Sequence, residues 1–435
     1  RSRGVSSPSG ASLRALGVAY AVLTAAAPAP ATSSHAPGTA TTATSAFGAS
    51  RSMASMAPFS RASVIQRLYW LTTSATLRAV EADGGEWSML RVRMGMASMI
   101  APRVVRSPAM DALVGRLSPV LHLTRITHAV AAVGNVWLVV LWSRKMEPDR
   151  LPAEAHLSTA PQWAVLGVSA ILGVALFAFA MVVHDAFDEH RDRTLSPGRP
   201  LVSGSVSHAG AVAIATTTLV ASVASAAWLG GHSLWLVCAV GVGIVLYQTL
   251  LRPIPSIGLV FVGLIYAAHM VAPNPMIGFL WPVAWAMTHA VVVELLAHRL
   301  ADKRPRLDGR ALFVAGAGCG AWTLVMLAVG NERMEAWWPD EVSLWTIPAQ
   351  FLLLIGFVFV ARRKSARTRS QTRAAEKARR YGALWQPLYA LGWLTGAGLF
   401  DEAAILAILA GVGFLALTFL REIYSLIEQP VGYRR

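Results

Sequence analysis

The sequence predicts an all-α protein, a polytopic membrane helix bundle. Of its 435 residues, 55% are hydrophobic and only 14% are charged, which is typical of membrane proteins. The chain contains ten apolar runs, each near the roughly 20 residues that a spanning helix needs. Because backbone groups in lipid must be satisfied within the segment, each run is predicted to be helical. The runs lie near residues 123–142, 162–183, 208–229, 233–250, 256–273, 276–297, 310–330, 343–361, 382–399 and 402–424.

Lys and Arg are distributed unevenly between the loops that join these runs. The loops after the second, fourth, sixth and eighth runs hold most of them, nine between positions 362 and 380 alone. The opposite loops hold only Arg144, Lys145, Arg150 and Arg333. Since cytoplasmic loops are enriched in Lys and Arg, we expect the basic loops on the cytoplasmic side or its organelle equivalent. The asymmetry also accounts for much of the formal charge of +15, so no nucleic-acid partner is expected.

The most informative polar stretch is HDAFDEHRDRTLSPGRPLVSG, residues 184–204, at the inner end of the second run. Asp185, Asp188 and Asp192 are spaced i, i+3 and i+7 and therefore share one helix face. Carboxylate oxygens gathered at one place suit Mg²⁺, and Mg²⁺ suits a diphosphate. Arg199 follows at a fixed distance, and its forked guanidinium matches phosphate oxygens. A merely solvated helix end, which is the alternative, does not account for Arg199.

Two further polar groups are predicted on the same side of the membrane. Tyr247 and Arg252 end the fourth run, where Arg252 is either a second cation directed at phosphate or a topology anchor. Glu294, His298 and Asp302 follow at i, i+4 and i+8 on one helix face. An ionisable group at membrane depth suggests function, and a polar helix end paired with nearby basic residues is the alternative.

Other polar residues within the runs are weaker candidates. Arg125 begins the first run, where it either faces the same pocket or anchors the helix at the interface. His269 and His289 are expected to form hydrogen bonds between helices rather than to bind ligands. The basic stretch 362–380 is expected to face solvent or lipid headgroups. Of these, only Arg125 is kept as a candidate for the site.

These stretches resemble the UbiA superfamily of integral membrane prenyltransferases. Residues 184–204 are similar to its first motif, Asn-Asp-x-x-Asp-x-x-x-Asp followed by Arg-Pro-x-x-x-Gly, with His184 in the place of Asn. Residues 247–258 look like its stretch of tyrosine, lysine or arginine, proline and glycine between the fourth and fifth helices. Residues 294–310 occupy the place of its second Asp-rich motif, where Glu294 and His298 stand at positions that are usually Asp.

The resemblance implies a fold, a cofactor and roles for individual residues. It implies nine transmembrane helices over roughly residues 120–400, to which the tenth run is an addition. The cofactor would be Mg²⁺, and the implied metal ligands are Asp185, Asp188, Asp192, Glu294 and Asp302. The implied catalytic residues, which also bind the diphosphate, are Arg199 and Arg252. Further implied substrate-binding residues are Tyr247, His298 and Arg125.

The implied activity is the transfer of an isoprenyl group from an isoprenyl diphosphate to an acceptor within the lipid bilayer. The sequence leaves the acceptor open among aromatic, quinone-precursor and lipid-like compounds. A catalytically altered member of the family, acting as a transporter or scaffold, is the alternative, and the changed second motif supports it. Paired Gly and Pro interruptions in matching halves would favour a transporter, and the sequence has none.

The chain is predicted to have three parts. Residues 1–110 form a low-complexity extension, residues 111–400 the prenyltransferase-like domain, and residues 401–435 an additional transmembrane helix with a short tail. Residues 1–60 lack Asp and Glu and resemble an organelle transit peptide; a disordered tail, or sequence upstream of the true start, is the alternative. We therefore expect a bacterial cytoplasmic membrane, or an organelle inner membrane if the extension is a transit peptide.

Overall fold

The computed structural model describes residues 117–428 apart from 154, 304 and 369, so the predicted extension 1–110 lies outside the described residues. Every regular element in this part of the chain is helical, which confirms the all-α prediction. The long helices of these residues are α1 (Ala129–Met146), α2 (Gln162–Leu195), α3 (His208–Leu229), α4 (Gly231–Leu246), α5 (Pro255–Val271), α6 (Trp281–Leu300), α7 (Gly309–Met334), α8 (Thr346–Ala366), α9 (Gln371–Gly396) and α10 (Phe400–Glu428).

Each long helix overlaps one of the apolar runs, but two helices begin where hydropathy does not predict. A 3₁₀ turn, Ile126–His128, leads into α1, and Arg125 before it has left-handed backbone angles, φ 47° and ψ 39°, that separate this turn from the helical stretch 117–123. Helix α9 begins well before its apolar run, where the Ser370 hydroxyl accepts a hydrogen bond from the Arg373 N–H at 3.4 Å. Backbone strain and capping therefore set these two starts rather than hydrophobicity.

Five helical segments of the described residues are long and apolar enough to cross a membrane: Gln162–Thr194, His208–Leu229, Gly231–Leu251, Gly309–Met334 and Thr346–Ala366. A further apolar helix, Pro255–Val271, is shorter. Polar groups lie within some of the other long helices, such as Asn135 in α1 and Glu294 in α6. The count of nine or ten spanning helices therefore stays a prediction.

The helices enclose a continuous apolar core and expose apolar side chains on the periphery. Trp142, Phe279 and Trp393 are almost fully buried and contact one another through their rings. On the outside, Phe313 of α7 is 75% exposed and Leu352 of α8 is 69% exposed. Exposed apolar area on several helices is expected of a surface that faces lipid rather than water.

The two ends of the bundle are built from different segments. The inner end, as the term is used below, consists of residues 117–128, 184–208, 247–255, 294–309 and 366–380. Ion pairs join these segments, among them Arg252–Asp188 and Arg379–Glu294. The outer end consists of residues 143–161, 272–280 and 333–345, which are joined by contacts of Glu147 and Arg333. The polar stretches singled out from the sequence therefore lie together at the inner end.

Candidate functional site

Three aspartates of α2 form the centre of the inner end. Asp185, Asp188 and Asp192 are 4%, 7% and 5% exposed, whereas Phe187 on another face of the same helix is 51% exposed. The i, i+3, i+7 spacing thus places all three carboxylates against neighbouring segments, as the periodicity of a helix requires. Buried carboxylates need a compensating partner, and here the partners are arginines.

Two arginines from separate segments hold Asp185. The Nη2 of Arg125 lies 2.6 Å from Asp185 Oδ1, and the Nη1 of Arg199 lies 2.8 Å from the same oxygen. The left-handed backbone at Arg125 turns the chain between the stretch 117–123 and α1. Arg199 also lies 2.7 Å from Asp192 Oδ2. The guanidinium of Arg199 therefore bridges the first and last carboxylates of the group.

The loop after α2 presents Arg199 in an ordered conformation. The Ser203 N–H donates to the Arg199 carbonyl at 2.8 Å, and the Val206 N–H donates to the Pro200 carbonyl at 3.0 Å. Leu201 is buried in a small apolar cluster with Val206 and residues of neighbouring helices. Gly204 has φ +72°, a conformation that disfavours side chains. The spacing of proline, leucine and glycine in this stretch thus fixes the position of the arginine.

Asp188 belongs to a closed ring of side chains at the end of α4. Arg252 forms an ion pair with Asp188 Oδ1 and donates to Gln248 Oε1 at 3.3 Å. The amide of Gln248 lies 3.1 Å from His184 Nδ1, and His184 Nε2 lies 3.2 Å from Asp188 Oδ2. One turn of π-helix, Tyr247–Leu251, carries Gln248 and leads to Arg252. Gln248 was not predicted as a site residue, since an amide in an apolar run carries no recognisable signal.

Tyr247 lies within electrostatic range of both acidic groups. It is partly buried and close enough to Glu294, Arg252, Arg379 and Asp188 to interact with their charges. Its backbone carbonyl accepts a hydrogen bond from the Arg252 N–H at 2.9 Å. The backbone of Tyr247 is therefore tied to that of Arg252 at the end of α4.

Glu294 has a partner that the sequence analysis missed. The Nε and Nη2 of Arg379, at the start of α9, lie 2.7 and 2.8 Å from the two oxygens of Glu294. Both side chains are largely buried, with 24% of Arg379 and 28% of Glu294 exposed. Arg379 belongs to the stretch 362–380 that was interpreted as facing solvent or headgroups. That interpretation does not hold for Arg379, because α9 turns this one side chain into the bundle.

The other two residues of the second acidic group lie nearer the surface. His298 Nε2 is 3.1 Å from the Pro305 carbonyl, a contact within the same loop. Asp302 has a positive φ of 42°. Its side chain is 48% exposed and lies 3.3 Å from Arg306 Nε. The i, i+4, i+8 spacing therefore does not bring Asp302 to Glu294, because the helix ends at Leu300 and the chain turns.

Lys303 follows the end of α6, where its N–H donates a hydrogen bond to the His298 carbonyl at 3.2 Å, and it was also missed. Burial, reinforced by the nearby Arg379 guanidinium, lowers the pKa of Lys303 to about 8. Glu294, Arg191 and Arg252 also lie within electrostatic range of its ammonium group. The sequence did not single out Lys303 as a site residue, because a lysine after a membrane helix is usually only a topology anchor.

The first acidic group fits Mg²⁺ in its donor chemistry. All of its donors are carboxylate oxygens, which Mg²⁺ prefers. Asp192 Oδ2 is buried and accepts no hydrogen bond, although Arg199 lies within ion-pair distance. Among the described residues, no three His, Cys, Asp or Glu side chains are grouped tightly enough to share a metal ion. The arginines hold the oxygens instead, so Mg²⁺ at this group would have to take oxygens from them.

The members of the second acidic group do not come together in this arrangement. Both oxygens of Glu294 are engaged by Arg379. Asp302 is on the surface with Arg306, and imidazole is a poor ligand for Mg²⁺. Arginines thus hold carboxylate oxygens in both acidic groups, but the first group brings three carboxylates together and the second does not.

Comparison with known proteins identifies a family over much of the chain. The model of the UbiA prenyltransferase family matches residues 154–375. This range includes the three aspartates, Arg199, Arg252 and Glu294, and ends before Arg379. The chain has no significant match among curated proteins.

Several solved structures are similar to the chain at low identity. One, described as digeranylgeranylglyceryl phosphate synthase in membranes, is 16% identical with a TM-score of 0.44 and covers 65% of this chain and 98% of its own. A UbiA homologue from Aeropyrum pernix K1 is 18% identical with a TM-score of 0.36 and covers 67% and 98%. A UbiA homologue from Archaeoglobus fulgidus with bound GPP and Mg²⁺ is 13% identical with a TM-score of 0.34 and covers 69% and 99%.

The family model and the motifs agree on the same residues. The match begins before α2 and ends just after the start of α9, so it contains both acidic groups and the turn at Arg252. Because it spans just over half of the 435 residues, the chain belongs to the UbiA prenyltransferase family.

Proposed function

We propose that this protein transfers an isoprenyl group from an isoprenyl diphosphate to an acceptor within the membrane, with Mg²⁺ as cofactor. Family membership supports a prenyltransferase. The observation that carries the finer proposal is the meeting of three buried aspartates with Arg125, Arg199 and Arg252 at one end of the bundle. Carboxylates and guanidiniums brought together from distant parts of the chain are the groups that a metal diphosphate requires.

The aspartates would hold the metal and the arginines would hold the diphosphate. Bound at Asp185, Asp188 and Asp192, Mg²⁺ would neutralise diphosphate oxygens as a Lewis acid. Each arginine is at present paired with a carboxylate oxygen. Diphosphate oxygens offer the same bidentate geometry as a carboxylate. Arg199 and Arg252 would therefore exchange their aspartate partners for the leaving group and stabilise the charge that develops on it.

The interior of the bundle suits the reacting carbon chain. Departure of the diphosphate leaves an allylic cation, which water would capture in an open site. Beyond the arginines the helices enclose an apolar core, and the partly buried Tyr247 begins the π-helical turn that leads to Arg252. An aromatic face stabilises a nearby cation without reacting with it. The acceptor attacks this cation and then loses a proton.

The membrane supplies the substrate and orients the protein. UbiA proteins are integral membrane proteins, and the apolar helices found here agree with that. An isoprenoid tail would enter from lipid while its diphosphate stays at the inner end. The excess of Lys and Arg in the inner loops supports an inner end that faces the cytoplasm or its organelle equivalent.

Release of diphosphate tests the proposal. We expect the purified protein in liposomes to release diphosphate from labelled geranylgeranyl diphosphate when Mg²⁺ and a membrane lipid and quinone extract are present. Asp188→Asn and Arg199→Gln should each lower the rate by about 100- to 1000-fold, the range for removing one charge-stabilising group. Full activity in both variants would contradict the assignment of these residues to the active site.

A substitution at an exposed residue outside the site is the control for loss of folding. Arg193 forms an i, i+4 pair with Glu189, and its side chain is 64% exposed. Arg193→Gln lies on the same helix as the aspartates but outside the site, so its rate should equal that of the wild type. Melting curves of all variants in detergent separate loss of the site from loss of the fold.

A further inference from the structure

Four side chains at the inner end form a closed ring that joins α2 to the end of α4. His184 and Asp188 are spaced i, i+4 on α2, and Gln248 and Arg252 are spaced i, i+4 at the π-helical turn. Neighbouring polar atoms lie 3.1 Å apart at Gln248–His184, 3.2 Å at His184–Asp188 and 3.3 Å at Arg252–Gln248, and the Arg252–Asp188 ion pair closes the ring. Two of the four, His184 and Gln248, hold neither the metal nor the diphosphate in the proposed function.

Each hydrogen bond of the ring has a defined direction, and Arg252 sets it. A guanidinium only donates hydrogen bonds, so the atom of Gln248 that faces Arg252 is the carbonyl oxygen Oε1. The amide Nε2 of Gln248 therefore donates to Nδ1 of His184, which leaves the imidazole proton on Nε2 of the same ring. This proton is donated to Oδ2 of Asp188. The four side chains are thus complementary in donors and acceptors.

The ring is also largely enclosed. Gln248 is 9% exposed, and the side chains of Asp188, Arg252 and His184 are 9%, 20% and 22% exposed. A buried amide within an apolar run is unfavourable unless it is hydrogen-bonded, and both the oxygen and the nitrogen of the Gln248 amide have a partner in the ring. The ring is therefore a specific arrangement and not a solvated helix end.

The two oxygens of Asp188 have partners of different kinds. Oδ1 is paired with Arg252, whose guanidinium also matches phosphate oxygens, whereas Oδ2 accepts the hydrogen bond from neutral His184. When Arg252 turns to a diphosphate, Oδ1 is released for a metal ion. The bonds from His184 to Asp188 and from Arg252 to Gln248 do not have to break in this exchange. Hydrogen bonds of this kind, made to a metal ligand by a group that does not touch the metal, fix the orientation of the ligand.

We propose that Gln248 and His184 are positioning residues, which hold the metal ligand Asp188 and the diphosphate-binding Arg252 in fixed relative positions after the direct pair between them has opened. The inference rests on the proposed function, because it concerns the same metal ion and the same donor. Gln248 acts through its two neighbours in the ring and touches neither ligand itself. One amide in an otherwise apolar run therefore connects the group that binds the metal to the group that binds the diphosphate.

Binding of Mn²⁺ without turnover tests the inference. The full chain in detergent is mixed with a large excess of geranylgeranyl thiolodiphosphate, which resists cleavage, and free Mn²⁺ is followed by electron paramagnetic resonance. Gln248→Met keeps nearly the same size but forms neither bond of the amide. It should weaken Mn²⁺ binding by roughly ten- to hundredfold, the loss expected for the outer partners of a metal site. His184→Leu should have a similar effect, and the double variant should lose less than the product of the two single losses, because both changes break one chain of hydrogen bonds.

Two further replacements of His184 separate its two hydrogen bonds. The side-chain amide of glutamine reaches the place of Nε2, so His184→Gln should regain much of the Mn²⁺ affinity that His184→Leu loses. Asparagine reaches only the place of Nδ1, so His184→Asn should not regain it. The opposite result, recovery with asparagine and none with glutamine, would overturn the inference, since the bond to Asp188 would then be unimportant.

The matched control is Thr249→Val on the same π-helical turn. Thr249 is exposed, and its hydroxyl donates to the Val245 carbonyl at 3.0 Å, so this variant should bind Mn²⁺ as the wild type does. A lower melting temperature with unchanged Mn²⁺ affinity in Gln248→Met and His184→Leu would show that the ring only joins two helices. That result would overturn the inference and leave the proposed function intact. Failure of the wild type to bind Mn²⁺ together with the analogue would contradict the proposed function and, with it, the inference.

Discussion

Buried carboxylates occur at both ends of the bundle, but they are satisfied in different ways. At the outer end, Glu147 is 8% exposed. It accepts hydrogen bonds from the Trp142 indole at 2.8 Å and from the backbone N–H groups of Gly278 at 2.6 Å and Phe279 at 3.0 Å. At the inner end, Asp185 and its two companions have arginine side chains as partners.

The kind of hydrogen-bond partner distinguishes a carboxylate that stabilises the fold from one that is able to bind a ligand. Backbone and indole donors are fixed by the fold and have no other acceptor available, so Glu147 joins the loop 272–280 to α1 permanently. Arginine side chains are flexible and hold phosphate oxygens as readily as carboxylates. The inner carboxylates can therefore be freed when an anionic ligand arrives, whereas Glu147 stays bound. Burial of an acid alone does not indicate a site; the nature of its donors does.

The largest expected effect is on activity at the inner end. Asp192→Asn removes one of the three proposed ligands, and prenyl transfer should fall by roughly 100-fold or more, the upper range for groups that tune a metal site. The melting temperature should be unchanged or higher, because the burial of Asp192 and the like charges of Asp185 and Asp188 offset its ion pair with Arg199. The measurements are initial rates of diphosphate release and thermal unfolding in detergent.

A clear fall in melting temperature for Asp192→Asn would contradict this interpretation, since it would show that the carboxylate stabilises the fold as Glu147 does. Glu189→Gln provides the control. Glu189 lies on the same helix, and its ion-pair partners in the described part of the chain are the exposed side chains of Arg193 and His208. Neither its rate nor its melting temperature should change.

A smaller effect is expected at the outer end, and it concerns stability rather than activity. Glu147→Gln keeps the size of the side chain but turns an amide N–H₂ toward one of the backbone donors. Stability should fall by about 1.5–3 kcal/mol, the usual worth of a hydrogen bond to a charged group, while the rate per folded molecule stays the same. Thermal unfolding at several detergent concentrations, together with the rate of the remaining folded fraction, measures both quantities.

Glu332, an exposed acid near the end of α7, is the matched control for Glu147, and Glu332→Gln should have the stability of the wild type. If Glu147→Gln lowered the rate without lowering stability, the outer carboxylate would have a functional role. The contrast between the two ends would then disappear.

Much of the fold followed from hydropathy, since each apolar run overlaps a helix. The starts of α1 and α9 did not follow, because the left-handed turn at Arg125 and the cap at Ser370 depend on backbone geometry. In the site, the i, i+3, i+7 spacing was enough to place the three aspartates on one face. Arg379 was not foreseen, because it lies 85 residues from Glu294 and no spacing rule connects two separate helices.

The smallest expected effect concerns Asp302, which the sequence grouped with Glu294 on one helix face. The helix ends at Leu300, and Asp302 then forms an exposed pair with Arg306. Exposed pairs contribute about 0–1 kcal/mol. Asp302→Asn should therefore change stability by no more than about 0.5 kcal/mol, and the Mg²⁺ concentration for half-maximal rate should shift less than about twofold, far below the loss for a group that tunes a metal.

Asp302 is an acid at the inner end that lacks the features of a site. Asp302 is close to Lys303 in the chain, yet half exposed and paired with a solvated side chain. If location at the inner end were sufficient for function, Asp302→Asn would lower the rate as Asp192→Asn does. A strong shift in the Mg²⁺ requirement would mean that the loop after α6 rearranges to bring Asp302 to the metal. The partners seen at rest would then be a poor guide to those in the working enzyme.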